Sequence, residues 1–282
     1  MEKSLNQSYF SYCKINLGLQ VLNKRSDNFH NLSSIFVEVN LSDQLFFKPS
    51  DKVTVTSTND IIANLKDNTI IKAYQVLERY APVSKQHYNI HLVKNIPMGS
   101  GLGGGSSNAA TTLNTLNALW KLNLTTEQLI SIGSEIGSDV PFFINGKNQY
   151  VEGIGDKLSR LPNLKLSNYH ILIINPNIHI DTAWAYRALK KGLQVPKRYP
   201  KFLDSNNQVN WGLLKNDFEN VVFSTYPEIS KLKEKLISRE VLYAGLSGSG
   251  STVYGIFDNK NEAMLASNLF PSYNTYITSS IA

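Results

Sequence analysis

The sequence predicts an α+β protein of two domains, and three observations carry that expectation. The first sixty residues alternate apolar and polar positions with a period of two, as strands do. The second half interleaves short β-like runs with helical ones. The chain has 282 residues, 42% hydrophobic and 18% charged, which suits a globular protein with a sizeable core. The change of rhythm falls near residues 155–165, so the domains are expected as 1–160 and 161–282.

Taken in order, Ile15, Leu17, Leu19 and Val21 share one face of a first strand. LSSIFVEVNL (32–41), DQLFFK (43–48) and KVTVTST (52–58) continue as strands separated by polar turns. IIKAYQVLERYA (70–81) changes to a helical period, and YNIHLV (88–93) returns to strand. A glycine-rich loop follows. A helix starting near Ser106 then places Ala109, Leu113, Leu116 and Trp120 on one stripe. TTEQLISIGSEIG (125–137) is a helix with a Thr cap and a terminal Gly. DVPFFI (139–144) reads as a Pro-containing strand, and YVEGIGDKLSRL (150–161) as a hairpin. The second half reads strand 170–175, helix 181–189, helix 227–238, strand 241–245, strand 252–257, helix 261–270 and strand 273–278. KRYPKFLDSNNQ (197–208) is expected to be a mobile surface loop.

Composition sets further bounds. Cys13 is the sole cysteine, which excludes an intrachain disulfide and a cysteine-rich metal site. The net charge is +6, with a basic cluster in KKGLQVPKRYPK (190–201). Such a cluster reads first as a solvated face, then as an anion site. Nucleic acid comes last, because no binding motif accompanies the charge. The longest apolar runs are too short to span a bilayer. MEKSLNQSYF lacks the apolar core of a signal peptide, so a cytoplasmic location is expected. His87 and His91 lack the Glu of a zinc helix motif, and no metal site is assigned.

The densest signal is PMGSGLGGGSSNAA (97–110). Gly99, Gly101 and Gly104 satisfy G-x-G-x-x-G, but no acidic residue ends a second strand about 20 positions on, so a dinucleotide fold is excluded. No Gly-Lys-Ser/Thr follows either, so this is not a Walker loop. What remains is a strand, a loop with five glycines, and a helix start. A turn needs one or two glycines. Bare amides beside the positive end of a helix form a polyphosphate cradle, and the Ser106 and Ser107 hydroxyls can serve phosphate or Mg²⁺. A second loop, GLSGSGST (245–252), taken alone reads as a bulged turn between strands.

Together these stretches resemble a known superfamily. PMGSGLGGGSS is similar to the ATP-binding signature of the GHMP kinases, CKINLGLQV (13–21) to their first motif and LSGSGSTVYGIF (246–257) to their third. The segments 14–36, 94–120, 136–144 (IGSDVPFFI) and 152–158 (EGIGDKL) resemble, more narrowly, the kinase family acting on 4-diphosphocytidyl-2-C-methyl-D-erythritol. The resemblance implies a ribosomal protein S5 domain 2-like N-terminal domain and a ferredoxin-like C-terminal domain. It implies phosphoryl transfer from ATP, with Mg²⁺ as its companion ion and no tightly bound cofactor, to the 2-hydroxyl of that small molecule. No nucleic-acid or membrane partner is expected, and the chain is expected as monomer or homodimer.

The resemblance also assigns residues. ATP falls to Pro97, Met98, Gly99, Ser100, Gly101, Leu102, Gly103, Gly104, Gly105, Ser106 and Ser107, with Ser247, Gly248, Ser249 and Gly250 as the third glycine motif. Asp139, alone a turn or capping Asp, matches the catalytic base. Lys14 interrupts an apolar strand, where it snorkels or meets an anion. In the family it lies near that Asp and stabilises negative charge on the attacking oxygen. Asn16 shares its strand face and orients substrate. Phe29 and His30 match the positions that stack on cytosine and hydrogen-bond it, with Asn28-Phe29 where the family has Gly-Tyr. Tyr186 falls where a second aromatic of a cytosine sandwich is expected, although it also fits a core stripe, and Thr182 falls near the substrate. Lys94, just before IPMG, reads first as a solvated strand-end lysine and second as one that approaches the nucleotide, and Cys13 reads as a small buried residue on the face opposite Lys14.

Overall fold

A computed structural model describes residues 8–63, 67–189 and 202–281. The chain forms two compact units, each assembled from separate stretches. The first comprises the described residues up to Cys13, then Leu41–Met98 and Gly103–Gly146. The second comprises Lys14–Asn40, Gly99–Leu102 and the chain from Lys147 onward. Two long strands, β1 (Ser8–Lys24) and β2 (His30–Ser50), contribute to both.

In the first unit, β3 (Thr54–Ser57) runs parallel to β4 (His87–Val93), and the C-terminal part of β2 runs antiparallel to β4 with Leu45 opposite Leu92 and Phe47 opposite Ile90. Alternation in β4 buries Tyr88, Ile90 and Leu92. The short α1 (Asp60–Ala63) precedes α2 (Thr69–Glu78), which is capped by the Asn68 side chain and buries Ile70, Ala73, Tyr74 and Leu77. The long α3 (Gly104–Leu119) buries Ala109, Leu113 and Leu116, and Trp120 just beyond it is also buried, so the expected stripe faces the core. α4 (Thr126–Ser134) opens on a complete capping box between Thr125 and Gln128, and ends before the expected Gly137.

Three expectations for this region are corrected. The runs 32–41 and 43–48 are one continuous strand, because the side chain of Asp43 bonds backbone N–H groups of Asn95 and Ile96 instead of turning its own chain. DVPFFI is helix α5 (Val140–Asn145) rather than strand. Pro141 lies in the first turn, where a missing N–H costs nothing, and Phe142 and Phe143 are buried. Finally, α3 begins at Gly104, two residues before Ser106.

In the second unit, the N-terminal part of β2 pairs with β5 (Gln149–Gly153), which forms the expected hairpin with β6 (Lys157–Arg160). The rest carries β7 (His170–Asn175), α6 (Thr182–Ala188), a 3₁₀ turn (Trp211–Leu213), α7 (Phe218–Thr225), α8 (Pro227–Ile237), β8 (Tyr243–Leu246), β9 (Val253–Phe257), α9 (Lys260–Ser267) and β10 (Asn274–Thr278). The sheet order β10-β7-β9-β8, all antiparallel, is the ferredoxin-like arrangement that the family resemblance implied. Leu172, Ile174, Phe218, Val222, Leu232, Leu236, Val253 and Phe257 build its core with Leu19 and Val21 of β1.

Sequence reading missed α7, whose FENVVFST is rich in poor helix formers. Burial of Phe218 and Val222, one turn apart, overrides that preference. Of the expected loop 197–208, residues 202–208 close into a hydrogen-bonded turn, with Leu203 bridged to Val209 and Asp204 accepting from Gln208 N–H. The remainder, and the basic cluster 190–201, lie outside the described residues.

Candidate active site

The glycine segment is divided between the units: residues 99–102 belong to the second and 103–107 to the first. Gly99, Gly101 and Gly103 have φ of +57°, +80° and +71°, a region that favours glycine. A Cβ on Gly101 would collide with the Ser247 carbonyl oxygen, and one on Gly99 would stand 2.5 Å from His179 Nδ1. In the first unit, a Cβ on Gly104 would lie 3.0 Å from Ile96 Cγ2 and 3.1 Å from Lys94 Nζ. Three of the five glycines therefore answer to the protein's own packing, and Gly103 to its backbone angle. Gly105 does not: it sits in the first turn of α3, exposed, with Thr69 Oγ1 at 3.6 Å as the nearest atom to an added methyl.

Among the described residues, no group accepts from the amides of Gly103, Gly104, Gly105 and Ser106, nor, in the second unit, from those of Gly99, Gly101 and Leu102. The first turn of a helix leaves such donors unpaired, and its dipole attracts anions. Met98 is partly exposed, while the Ser100 and Leu102 side chains are buried, so those two residues offer backbone rather than side chain. Ser107 is 2% exposed, and its hydroxyl accepts from Ser11 Oγ at 2.7 Å. Ser106 is the half-exposed hydroxyl of this turn.

The third glycine motif joins β8 to β9 and is wholly buried. Ser247 Oγ donates to the Gly101 carbonyl at 2.9 Å and accepts from Asn16 N–H at 3.3 Å, while Thr252 N–H donates to the Ser100 carbonyl at 3.1 Å. The Gly248 carbonyl accepts from Asn216 Nδ2, and Gly250 has φ +90°. This motif supports residues 99–102 from beneath.

Lys14 and Asn16 project on one face of β1, as alternation requires. Lys14 Nζ donates to Asn16 Oδ1 at 2.5 Å and stands 4.7 Å from the centre of the Phe36 ring. Asn16 Nδ2 donates to Ser34 Oγ at 3.1 Å, and Tyr254 donates to the Asn16 carbonyl at 2.6 Å. Both residues are buried, so Lys14 is a cation held inside the fold and not a snorkelling surface side chain. Cys13 is completely buried, as expected.

Asp139 is the N-cap residue of α5, yet its carboxylate accepts no hydrogen bond from that helix. A capping role does not explain the residue. It is half-buried, in the first unit.

The third cluster lies in the second unit. Phe29 is 59% exposed at the end of a turn closed by Arg25 N–H donating to the Phe29 carbonyl, with Asp27 Oδ1 accepting from Phe29 N–H. Asn28 has φ +68° there, which explains why the related pattern carries Gly, and Asn is a residue that tolerates this conformation. His30 stacks on Tyr186 with centroids 5.2 Å apart, and Tyr186 meets Phe218 edge-on at 5.0 Å. Burial, then the charge of Lys24, holds the His30 pKa below its ordinary value. Thr182 Oγ1 lies 3.0 Å from Ser249 Oγ.

Lys94 corrects the sequence reading: it is not solvated. Its side chain is 7% exposed and its ammonium donates to Asp43 Oδ2 at 2.8 Å and to the Ile96 carbonyl. Burial pulls its pKa down against the opposing pull of Asp43. Sequence reading missed Asp43, which reads as the first residue of a strand, and His179, which carries no motif. Among the described residues, no group of three or more His, Cys, Asp or Glu stands in metal-binding proximity, and no helix is long and apolar enough to cross a membrane.

The GHMP kinases N terminal domain family matches residues 68–147, and the GHMP kinases C terminal family matches residues 202–268. The chain is 40% identical over 276 residues to the 4-diphosphocytidyl-2-C-methyl-D-erythritol kinase of Thermodesulfovibrio yellowstonii, spanning 93% of this chain and 94% of that protein. It is 39% identical to the enzyme of the same name from Chlorobium chlorochromatii, spanning 95% and 94%. A crystal structure of 4-(cytidine 5'-diphospho)-2C-methyl-D-erythritol kinase superposes with a TM-score of 0.81 at 26% identity over 98% of this chain and all of that one. The Methanococcus jannaschii mevalonate kinase shares the fold, with a TM-score of 0.71 at 13% identity over 99% and 100%.

Proposed function

Because the chain belongs to the 4-diphosphocytidyl-2-C-methyl-D-erythritol kinase family of the GHMP kinases, we propose the following division of labour among its residues. The chain is an ATP-dependent kinase of the non-mevalonate isoprenoid pathway. It phosphorylates the 2-hydroxyl of 4-diphosphocytidyl-2-C-methyl-D-erythritol, giving the 2-phosphate and ADP. The observation that carries the site assignment is the row of acceptor-free amides from Gly103 to Ser106 at the start of α3.

Phosphoryl transfer needs held phosphates, neutralised charge and an aligned hydroxyl. The amides take the phosphates of ATP, which enters with Mg²⁺ as part of the substrate. Ser106, the more exposed of the two serines, is the hydroxyl suited to that anion or its ion. Asp139 accepts the proton of the attacking hydroxyl. Lys14, fixed by Asn16, stabilises the negative charge left on that oxygen. Phe29 stacks on cytosine, His30 hydrogen-bonds its edge, Tyr186 completes the aromatic wall, and Thr182 and Asn16 orient the rest. A division into a nucleotide-binding domain 1–160 and a C-terminal domain 161–282 is supported by the two family segments, which fall on either side of residue 160. We place the enzyme in the cytoplasm, acting on small molecules alone.

The test pairs substrate choice with one substitution. ATP turnover is measured with the cytidyl substrate and with mevalonate, and only the first should support it. Asp139→Asn should leave ATP affinity nearly intact while kcat falls by about 10²-fold or more. Full activity in that variant would remove Asp139 from the mechanism.

A further inference from the structure

Asp43 is 0% exposed, and four donors converge on its carboxylate. Oδ1 accepts from the N–H groups of Asn95 and Ile96, both at 2.8 Å. Oδ2 accepts from Lys94 Nζ at 2.8 Å and Asn108 Nδ2 at 2.9 Å. Three of these donors come from the chain leaving β4, before the glycine segment. The fourth comes from the second turn of α3, after it. The chain continues through Asn108, which also donates to Ser11 Oγ at 2.9 Å, and Ser11 in turn donates to Ser107. All of these residues lie in the first unit.

A buried ion pair often stabilises a fold no more than a well-packed apolar pair would. What this cluster supplies is geometry. Lys94 and Ile96, both held by Asp43, are the two residues that crowd Gly104, the first residue of α3. That contact leads directly to the acceptor-free amides of Gly103–Ser106. We propose that Asp43 is a positioning residue for the nucleotide: it locks the first turns of α3 against the end of β4, so that these amides are already aimed when the phosphates arrive. Asp43 touches no substrate in this role. The inference rests on the phosphate reading given above.

The two claims separate by experiment on the full chain. Dissociation constants for ATP and for adenosine are measured by competition with a fluorescent nucleotide, in Asn108→Ala, in the milder Ser11→Ala and in Gly105→Ala. A preset phosphate cradle predicts that Asn108→Ala weakens ATP by about tenfold and leaves adenosine unchanged, with Ser11→Ala intermediate. If Asn108→Ala does not fold, the same selective loss in Ser11→Ala decides. If Gly105→Ala loses ATP affinity but the other two weaken ATP and adenosine equally, or neither ligand, the role of Asp43 is overturned. If Gly105→Ala keeps full ATP affinity, the phosphate reading itself falls, and the role of Asp43 with it.

Discussion

Gly105→Ala isolates the one glycine of its segment that folding does not require. The new methyl would have Thr69 Oγ1 at 3.6 Å and Cγ2 at 3.8 Å, ordinary van der Waals contact, at a helical position without positive φ. Replacing glycine by alanine there narrows the unfolded ensemble and stabilises by about 0.4–1 kcal/mol. For a chain of this length that is a rise in Tm of roughly 1–4 °C. The same methyl occupies the space beside amides that meet no acceptor, so ATP affinity should fall by about tenfold, which is ~1.4 kcal/mol. Gly101→Ala supplies the contrast: at φ +80°, with its Cβ against the Ser247 carbonyl, it should lower Tm by several degrees. Scanning calorimetry reads both shifts, and nucleotide titration reads the affinity. A Gly105→Ala chain that melts lower than wild type, or that binds ATP unchanged, would refute the division of these glycines into folding and ligand roles.

Two further outcomes are expected. Phe29→Ala removes an exposed ring, so Tm should hold and ATP affinity should not move, while KM for the cytidyl substrate rises by roughly 5- to 150-fold, the value of about 1–3 kcal/mol for one stacked base; an unchanged KM means the ring does not stack. Glu38 is buried, and burial raises its pKa above the ordinary 4.5 although it accepts Lys147 N–H at 2.7 Å. Because the folded state holds this proton more tightly than the unfolded state, stability is lost as pH rises from 4.5 through the raised value. Glu38→Gln, which keeps an acceptor, should therefore raise Tm at pH 8 and not at pH 4. A gain of equal size at both pH values would contradict the burial argument.

Much of the fold was readable because burial and period agree. The stripes of β1 and α3 were found by counting, as were the strand β4 and the Thr cap at residue 125. The errors share a physical origin in partners distant in sequence. Asp43 and Lys94 look like a strand-start polar residue and a surface lysine until they are seen 2.8 Å apart across 51 positions. The polar step between the runs 32–41 and 43–48 therefore reads as a turn. α5 was hidden by Pro141, which marks a helix start as readily as a strand edge, and α7 by side chains that only packing makes helical. At the site, the motif resemblance supplied the residues. Composition alone counted five glycines as one signal, whereas Gly101 answers to Ser247 and Gly105 to nothing in the protein.

The way the chain threads its two units has a consequence for its synthesis. It passes from one to the other after Cys13, Asn40, Met98, Leu102 and Gly146. Every segment of the first unit has left the ribosome once residue 146 has emerged, so that body can close early. The second unit recruits residues 14–40 and then waits for strands made near the far end of the message. Until those arrive, the β1 segment bearing Lys14 has no finished core to enter. It is a nascent apolar strand that a chaperone would have reason to shelter.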